Sequence, residues 1–186
     1  AYYGSFSAIL VINRGVHEPL EEYIFQELLK SLPKAPTMLE LGAYWGHYSM
    51  WLQKVHPAAN CHLVEPEKIN LEAGKINFKE NNFSGKFTHA FVGKGKFGVD
   101  KYLKENKLKK LDILHSDIQG YEVEMLNDCK KALKNRMIDR VFVSTHSNSL
   151  HHASLEILKS HGYNIEVSSD YDDESTSFDG LIFASS

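Results

Sequence analysis

The stretch Met38–Ser49 reads MLELGAYWGHYS. An apolar run, Thr37–Leu41, meets a glycine, and a helix is expected from Tyr44 to about Val55, where His56-Pro57 stops it. A strand, a glycine turn and a helix together build a nucleotide-type pocket. Gly42 and Gly46 let backbone approach a ligand closely, and the helix start offers free N–H groups. The spacing is E-x-G-x-x-x-G rather than G-x-G-x-x-G, and Glu40 stands where a phosphate binder would avoid negative charge. A carboxylate there suits a ligand with a positive group, such as the amino group of an amino-acid moiety.

The next apolar run, Cys61–Glu65 (CHLVE), closes on Glu65 just before Pro66. In dinucleotide folds an acid at this place accepts hydrogen bonds from ribose hydroxyls. A ribose and a cationic amino-acid part, without phosphate, describe S-adenosylmethionine. Further runs follow at Lys86–Val92, Leu111–Asp117, Arg140–His146, Tyr163–Val167 and Leu181–Ala184. Helices are expected between them: Glu67 to about Asn81 (apolar at Ile69, Ala73, Ile76 and Phe78), Val99–Asn106, Tyr121–Leu133 and Leu150–His161. An amphipathic helix, Pro19–Leu32, precedes the set, with Leu20, Tyr23, Ile24, Leu28 and Leu29 on one face. Strands alternating with helices imply a parallel sheet covered on both faces. The last two runs have no helix between them, so the final strand must run antiparallel. A seven-stranded, mostly parallel α/β sheet with an antiparallel last strand is the Rossmann-like shape expected of class I methyltransferases. Residues 1–36 are expected to form an N-terminal strand/helix entry segment and 37–186 the cofactor-binding core.

The composition agrees with one globular domain. There are 186 residues, 42% hydrophobic and 24% charged, with a net charge of −3. No apolar run is long enough to span a membrane, and no leader is seen. The weak acidity argues against a nucleic-acid partner, and the lysines of 94–110 read as a solvated face. Cys61 and Cys129, without C-x-x-C spacing, fit reduced thiols in a cytoplasmic setting. The chain begins at Ala1, which fits a piece of a longer protein carrying, for instance, a glycosyltransferase domain. Ten histidines leave a metal centre and a histidine base both open.

These motifs resemble the FkbM-type family of S-adenosylmethionine-dependent methyltransferases. The matching pieces are ELGAYWGHYS (40–49), LVEP (63–66), FVG (91–93), LDILHSDIQGYEVEML (111–126), the run ending at His146, and GVHEP (15–19). The most family-specific piece is D-x-x-G-x-E at Asp117, Gly120 and Glu122. The resemblance implies an O-methyltransferase that takes its methyl group from S-adenosylmethionine, often acting on sugars or polyketide-like products. It implies cofactor contacts at Glu40, Gly42, Ala43, Tyr44, Gly46, Tyr48, Glu65, Pro66, Phe91 and Asp117. Gln119 and Ser144 stand where the family often has acids. Both departures remove negative charge and weaken the case for a divalent metal.

Methyl transfer to an alcohol needs donor and acceptor held in line and a weakly acidic proton removed. Asp117 and His146 end neighbouring strands at the ligand edge, where a His–Asp pair would let the carboxylate orient and stabilise the imidazolium. The bland alternative for Asp117 is an N-cap of the following helix. A metal reading would combine Asp117 and His146 with His115, which shares Asp117's strand face. His115 is expected instead to pack within its strand, and no metal is assigned. His17, Glu18, Gln119, Asn148 and Tyr171 are candidate acceptor contacts. The loops 147–152 and 168–180 are polar, which favours a glycan or other sugar hydroxyl as acceptor. The alternatives are a metal-assisted natural-product O-methyltransferase and a non-catalytic cofactor-binding module.

Overall fold

A computed structural model describes residues 11–12, 14–93, 95–170 and 179–186. Its elements are α1 (Pro19–Leu29), β1 (Thr37–Leu41), α2 (His47–Val55), β2 (Asn60–Glu65), α3 (Lys68–Glu80), β3 (Gly85–His89), α4 (Val99–Glu105), β4 (Leu111–Ser116), α5 (Glu122–Asp128), α6 (Lys130–Lys134), β5 (Ile138–Thr145), α7 (Asn148–Ser160), β6 (Asn164–Ser169) and β7 (Gly180–Ser185). The seven strands form one sheet in the order β3-β2-β1-β4-β5-β7-β6. All pairings are parallel except those of β7, which runs antiparallel to both β5 and β6. The expected architecture is therefore present.

The central strands are buried on both faces, so their apolar residues alternate between two cores. Leu39, Leu114, Val141 and Ile182 join one core with α4–α7. Met38, Ile113, Phe142 and Phe183 join the other with Phe25 of α1 and Tyr48 and Leu52 of α2. The entry helix α1 is thus a wall of the core. Residues 1–10, the remainder of that entry segment, lie outside the described residues.

Three expectations change. On α3 the apolar stripe is misplaced: Ile69 is 75% exposed, and Leu71, Gly74 and Phe78 are the buried residues. The single helix expected over 121–133 is two, broken at Cys129. The Asp100 carboxylate, reaching over from α4, accepts the Lys131 and Ala132 N–H groups at 2.9 and 2.8 Å and so caps α6. The helix expected from Leu150 begins earlier, at Asn148, so residues 148–149 of the expected loop open α7, and Ser147 Oγ accepts the Leu150 N–H. His151 of that helix is buried, with Nδ1 2.9 Å from Thr145 Oγ1 and Nε2 2.9 Å from Ser168 Oγ.

Candidate active site

The first turn forms as its spacing implies, and its details show why glycine is required. Gly42 and Ala43 donate their N–H groups to the Val64 carbonyl, tying the turn to β2. Gly42 has φ +73°, and a Cβ there would lie 1.7 Å from the Asp117 carbonyl oxygen. Only a residue without a side chain lets the β1–α2 turn touch the end of β4. Gly46, also left-handed, immediately precedes α2. Tyr44 has φ +50°, and its N–H bonds Glu65 Oε2 at 2.8 Å.

Glu65 binds backbone twice, since its Oε1 accepts the Glu67 N–H at 2.9 Å. Burial raises its pKa against the pull of those two N–H groups. It stands at the carboxyl end of β2. Pro66 is beside it, its carbonyl 2.8 Å from His89 Nε2. Phe91 packs edge-on against Tyr121 across the next strand end, with ring centroids 4.9 Å apart. Glu40 behaves differently from the expectation. It is 2% exposed and points under α2, where Ser49 donates to it through both N–H and Oγ. Its reach to a ligand would be electrostatic. Tyr48 is buried in the core against Phe25 and the His115 ring rather than lining a cleft.

At the carboxyl ends of β4 and β5 the structure brings Asp117 and His146 together. His146 Nδ1 donates to Glu122 Oε1 at 2.6 Å, and its Nε2 lies 3.3 Å from Asp117 Oδ1 and 3.4 Å from Asp179 Oδ2. Glu122 begins α5 with its side chain wholly buried, and its Oε1 also accepts the Gly120 N–H. Gln119, exposed and at φ +53°, donates to Asp117 Oδ1 at 3.0 Å. Burial lowers the His146 pKa, but Asp117, Asp179 and Glu122 outweigh it and push the ring up to about 12. Asp117 is held below the usual carboxylate range: burial opposes this, and His146 overcomes it. The expected His–Asp pair is present, and these surroundings make the resting ring an imidazolium.

The N-terminus of α1 adds more acid to this edge. Glu18 and Glu21 are buried and hydrogen-bonded to each other. Burial raises both carboxyls, and the charges of Asp117 and Asp179 raise them further. Glu21 accepts from Ser144 Oγ at 2.8 Å and lies 2.5 Å from His115 Nε2. Thus Ser144, where the resemblance expects an acid, hydrogen-bonds an acid carried by α1. His115 faces α1 and the aromatic core, so it does not join Asp117 and His146. His17 is exposed, and its N–H and that of Glu18 go to Glu22 Oε1. Asn148 is half-buried at the start of α7, two residues past His146. Tyr171 lies outside the described residues. Lys96 and Lys101, from the basic stretch, line with Lys86 a cavity of 380 Å³ that includes none of these residues.

Three residues of this constellation were not among the expected contacts. Glu122 was visible as the last acid of the family-specific motif. Glu21 follows Glu18 by one helical turn, a spacing that puts both on one face. Asp179 was visible only as one of several acids in a polar loop; the antiparallel return into β7 is what carries it to His146.

The sheet order, the glycine turn and the acid-rich strand ends define a Rossmann-like class I methyltransferase. More narrowly, the chain belongs to the FkbM methyltransferase family, whose domain model (Methyltransferase FkbM domain) matches residues 17–165. Solved structures share the fold at low identity. The precorrin-6y C5,15-methyltransferase of Geobacter metallireducens is 18% identical, over 87% of each chain, with a TM-score of 0.61. A methyltransferase FkbM from Methylobacillus flagellatus is 18% identical over 81% of this chain and 44% of its own, with a TM-score of 0.62. Aeropyrum pernix fibrillarin, solved with bound S-adenosyl-L-methionine, is 13% identical over 82% and 68%, with a TM-score of 0.58. No curated protein matches the chain.

Proposed function

We propose that this protein is an S-adenosylmethionine-dependent O-methyltransferase whose acceptor is a sugar hydroxyl of a glycan or glycoconjugate. The observation that carries the reading is the direct contact between the glycine turn and the end of β4. The Gly42 turn is pressed against the Asp117 carbonyl, and the Asp117 carboxylate lies beside His146. The turn and Glu65 would hold the cofactor; Asp117 and His146 would face its methyl group. Cofactor-bound fibrillarin shares this fold.

In the reaction the acceptor oxygen attacks the methyl carbon in line. The new C–O bond forms as the C–S bond breaks, and the bonding pair stays on sulfur to give S-adenosylhomocysteine. The hydroxyl proton passes to the carboxylates around His146. The imidazolium, anchored by Glu122, offsets charge developing on oxygen. Holding the reactants in line can supply about 7–11 kcal/mol, so proton transfer need not be strong. The polar surroundings, Glu18, Gln119, Asn148 and Asp179, suit a polyol better than a flat apolar ring. The same acidity disfavours nucleic acid as acceptor. A cytoplasmic location and fusion to a glycosyltransferase belong to the same reading. No helix among the described residues is long and apolar enough to cross a membrane.

The test is incubation with methyl-labelled cofactor and acceptors ending in rhamnose, fucose or similar sugars. Label in a sugar methyl ether is expected. Label in a peptide or polyketide and in no sugar would overturn the reading. Asp117→Asn should lower kcat by about 100-fold or more, with a smaller change in S-adenosylhomocysteine affinity.

A further inference from the structure

We infer that Asp117, His146 and Asp179 form a binding site for a divalent cation of the Mn²⁺ or Mg²⁺ type, with Glu122 orienting the histidine. From the sequence no metal was expected, and a metal there would have recruited His115. One donor atom from each of the three residues lies within 4.8 Å of the others. Each comes from a different part of the fold: the end of β4, the end of β5 and the start of β7. Two carboxylates and one imidazole are a hard donor set, with the nitrogen favouring Mn²⁺ over Mg²⁺.

Two observations point beyond an acidic cluster. The first is the state of His146 Nε2. This atom is buried and has no hydrogen-bond partner, although two carboxylates stand 3.3 and 3.4 Å away. One N–H cannot aim at both. A cation about 2.1 Å from each donor would sit between ligands roughly 3 Å apart. Nε2 therefore lies about a ligand–ligand distance from an oxygen of each carboxylate.

The second is the support behind the ring. Metal-ligating histidines characteristically donate their other N–H to a carboxylate or a backbone carbonyl. His146 donates Nδ1–H to Glu122, whose side chain is wholly buried and fixed in turn by the Gly120 N–H. That bond turns Nε2 toward Asp117 and Asp179, and a cation binding there displaces the Nε2 proton, so that the ring ligates as a neutral imidazole. Charge balance agrees. Among the described residues no lysine or arginine is ion-paired with Asp117, Glu122 or Asp179, and His146 is their one basic partner. Three protein ligands leave positions open for water or for acceptor hydroxyls. A bound hydroxyl would be oriented and made more acidic. This use rests on the methyltransferase reading; the binding of the ion does not.

The experiment is titration of the full chain with MnCl₂, without cofactor, following loss of the free Mn²⁺ signal by electron paramagnetic resonance. One saturable site is expected. Asp179→Asn and Asp117→Asn should each weaken it at least tenfold. Glu122→Gln should weaken it by about 10–100-fold through the ring alone. Glu156→Gln, on exposed α7 surface, should leave it unchanged. Circular dichroism confirms that each variant is folded, and S-adenosylhomocysteine calorimetry on the same samples reports the cofactor site. Absence of millimolar-or-tighter binding, or binding indifferent to both aspartate variants, overturns the cation site while leaving the methyltransferase reading intact. Mn²⁺ binding together with failure to bind S-adenosylhomocysteine would sink the methyltransferase reading and leave the cation site standing.

Discussion

Gly42 shows how much one residue can decide. Its positive φ costs an alanine about 1–2 kcal/mol, and its missing side chain leaves room for the Asp117 carbonyl. Gly95 separates the two effects, because it also has positive φ (+68°) but nothing within 4 Å of the place a Cβ would occupy. Gly42→Ala should therefore lose more than about 3 kcal/mol of stability, and Gly95→Ala about 1–2 kcal/mol. Urea unfolding of the two variants checks this; equal losses would mean that the contact with Asp117 is not what demands glycine. The need for a glycine was visible in the sequence at this position. Its partner was not, because Asp117 lies on a strand that reaches β1 only when the sheet assembles.

Helix α1 is the element whose role the sequence understated. Its amphipathic stripe was legible in part: Ile24, Leu28 and Leu29 are buried, whereas Tyr23 is 63% exposed and Phe25, outside the expected stripe, is fully buried. Its polar start was read only through His17 and Glu18, as acceptor contacts, and the structure buries Glu18 and Glu21 together beside Asp117 and Asp179. Their raised pKa values have a consequence with a definite sign. In the folded chain both carboxyls keep their protons above the ordinary glutamate value of about 4.3, whereas the unfolded chain releases them there. The stability they contribute is full below that value and falls as pH rises toward the raised values. Glu18→Gln removes one of these acids from the neighbourhood of Glu21, Asp117 and Asp179. The variant should gain Tm over the wild type at about pH 9 and little at about pH 5. Parallel melting curves at both pH values would show that Glu18 is not the buried proton-holding group described. At the same scale, the break between α5 and α6 was illegible because its cap, Asp100, belongs to α4.

For the whole molecule, the succession of strands and helices and the late antiparallel return were legible because periodicity is a local signal, whereas the strand order β3-β2-β1-β4-β5-β7-β6 came from the assembled sheet. Apolar runs of strand length alternated with helical stripes, and the missing helix before the last run dictated its direction. The two-core arrangement that follows makes Phe142 central: its ring lies 4.5 Å from Phe183 and 5.9 Å from Phe25, centroid to centroid, joining the late strands to α1. Phe142→Ala should cost about 3–5 kcal/mol, read as a lower urea midpoint with an unchanged m-value. A cost below about 1 kcal/mol would show that α1 and β7 do not share that core.

By itself the sequence determined the fold class, the glycine turn, the place of Glu65 at the carboxyl end of β2 and the meeting of Asp117 with His146 at one sheet edge. Each of these follows from residue type and period along the chain, because parallel strands with short turns bring their carboxyl ends together. Only the tertiary structure decided what surrounds His146. Glu122 and Asp179 come from a helix start and a hairpin return far apart in sequence. Their convergence sets the charge of the ring, and charge depends on distance in space rather than on position in the chain.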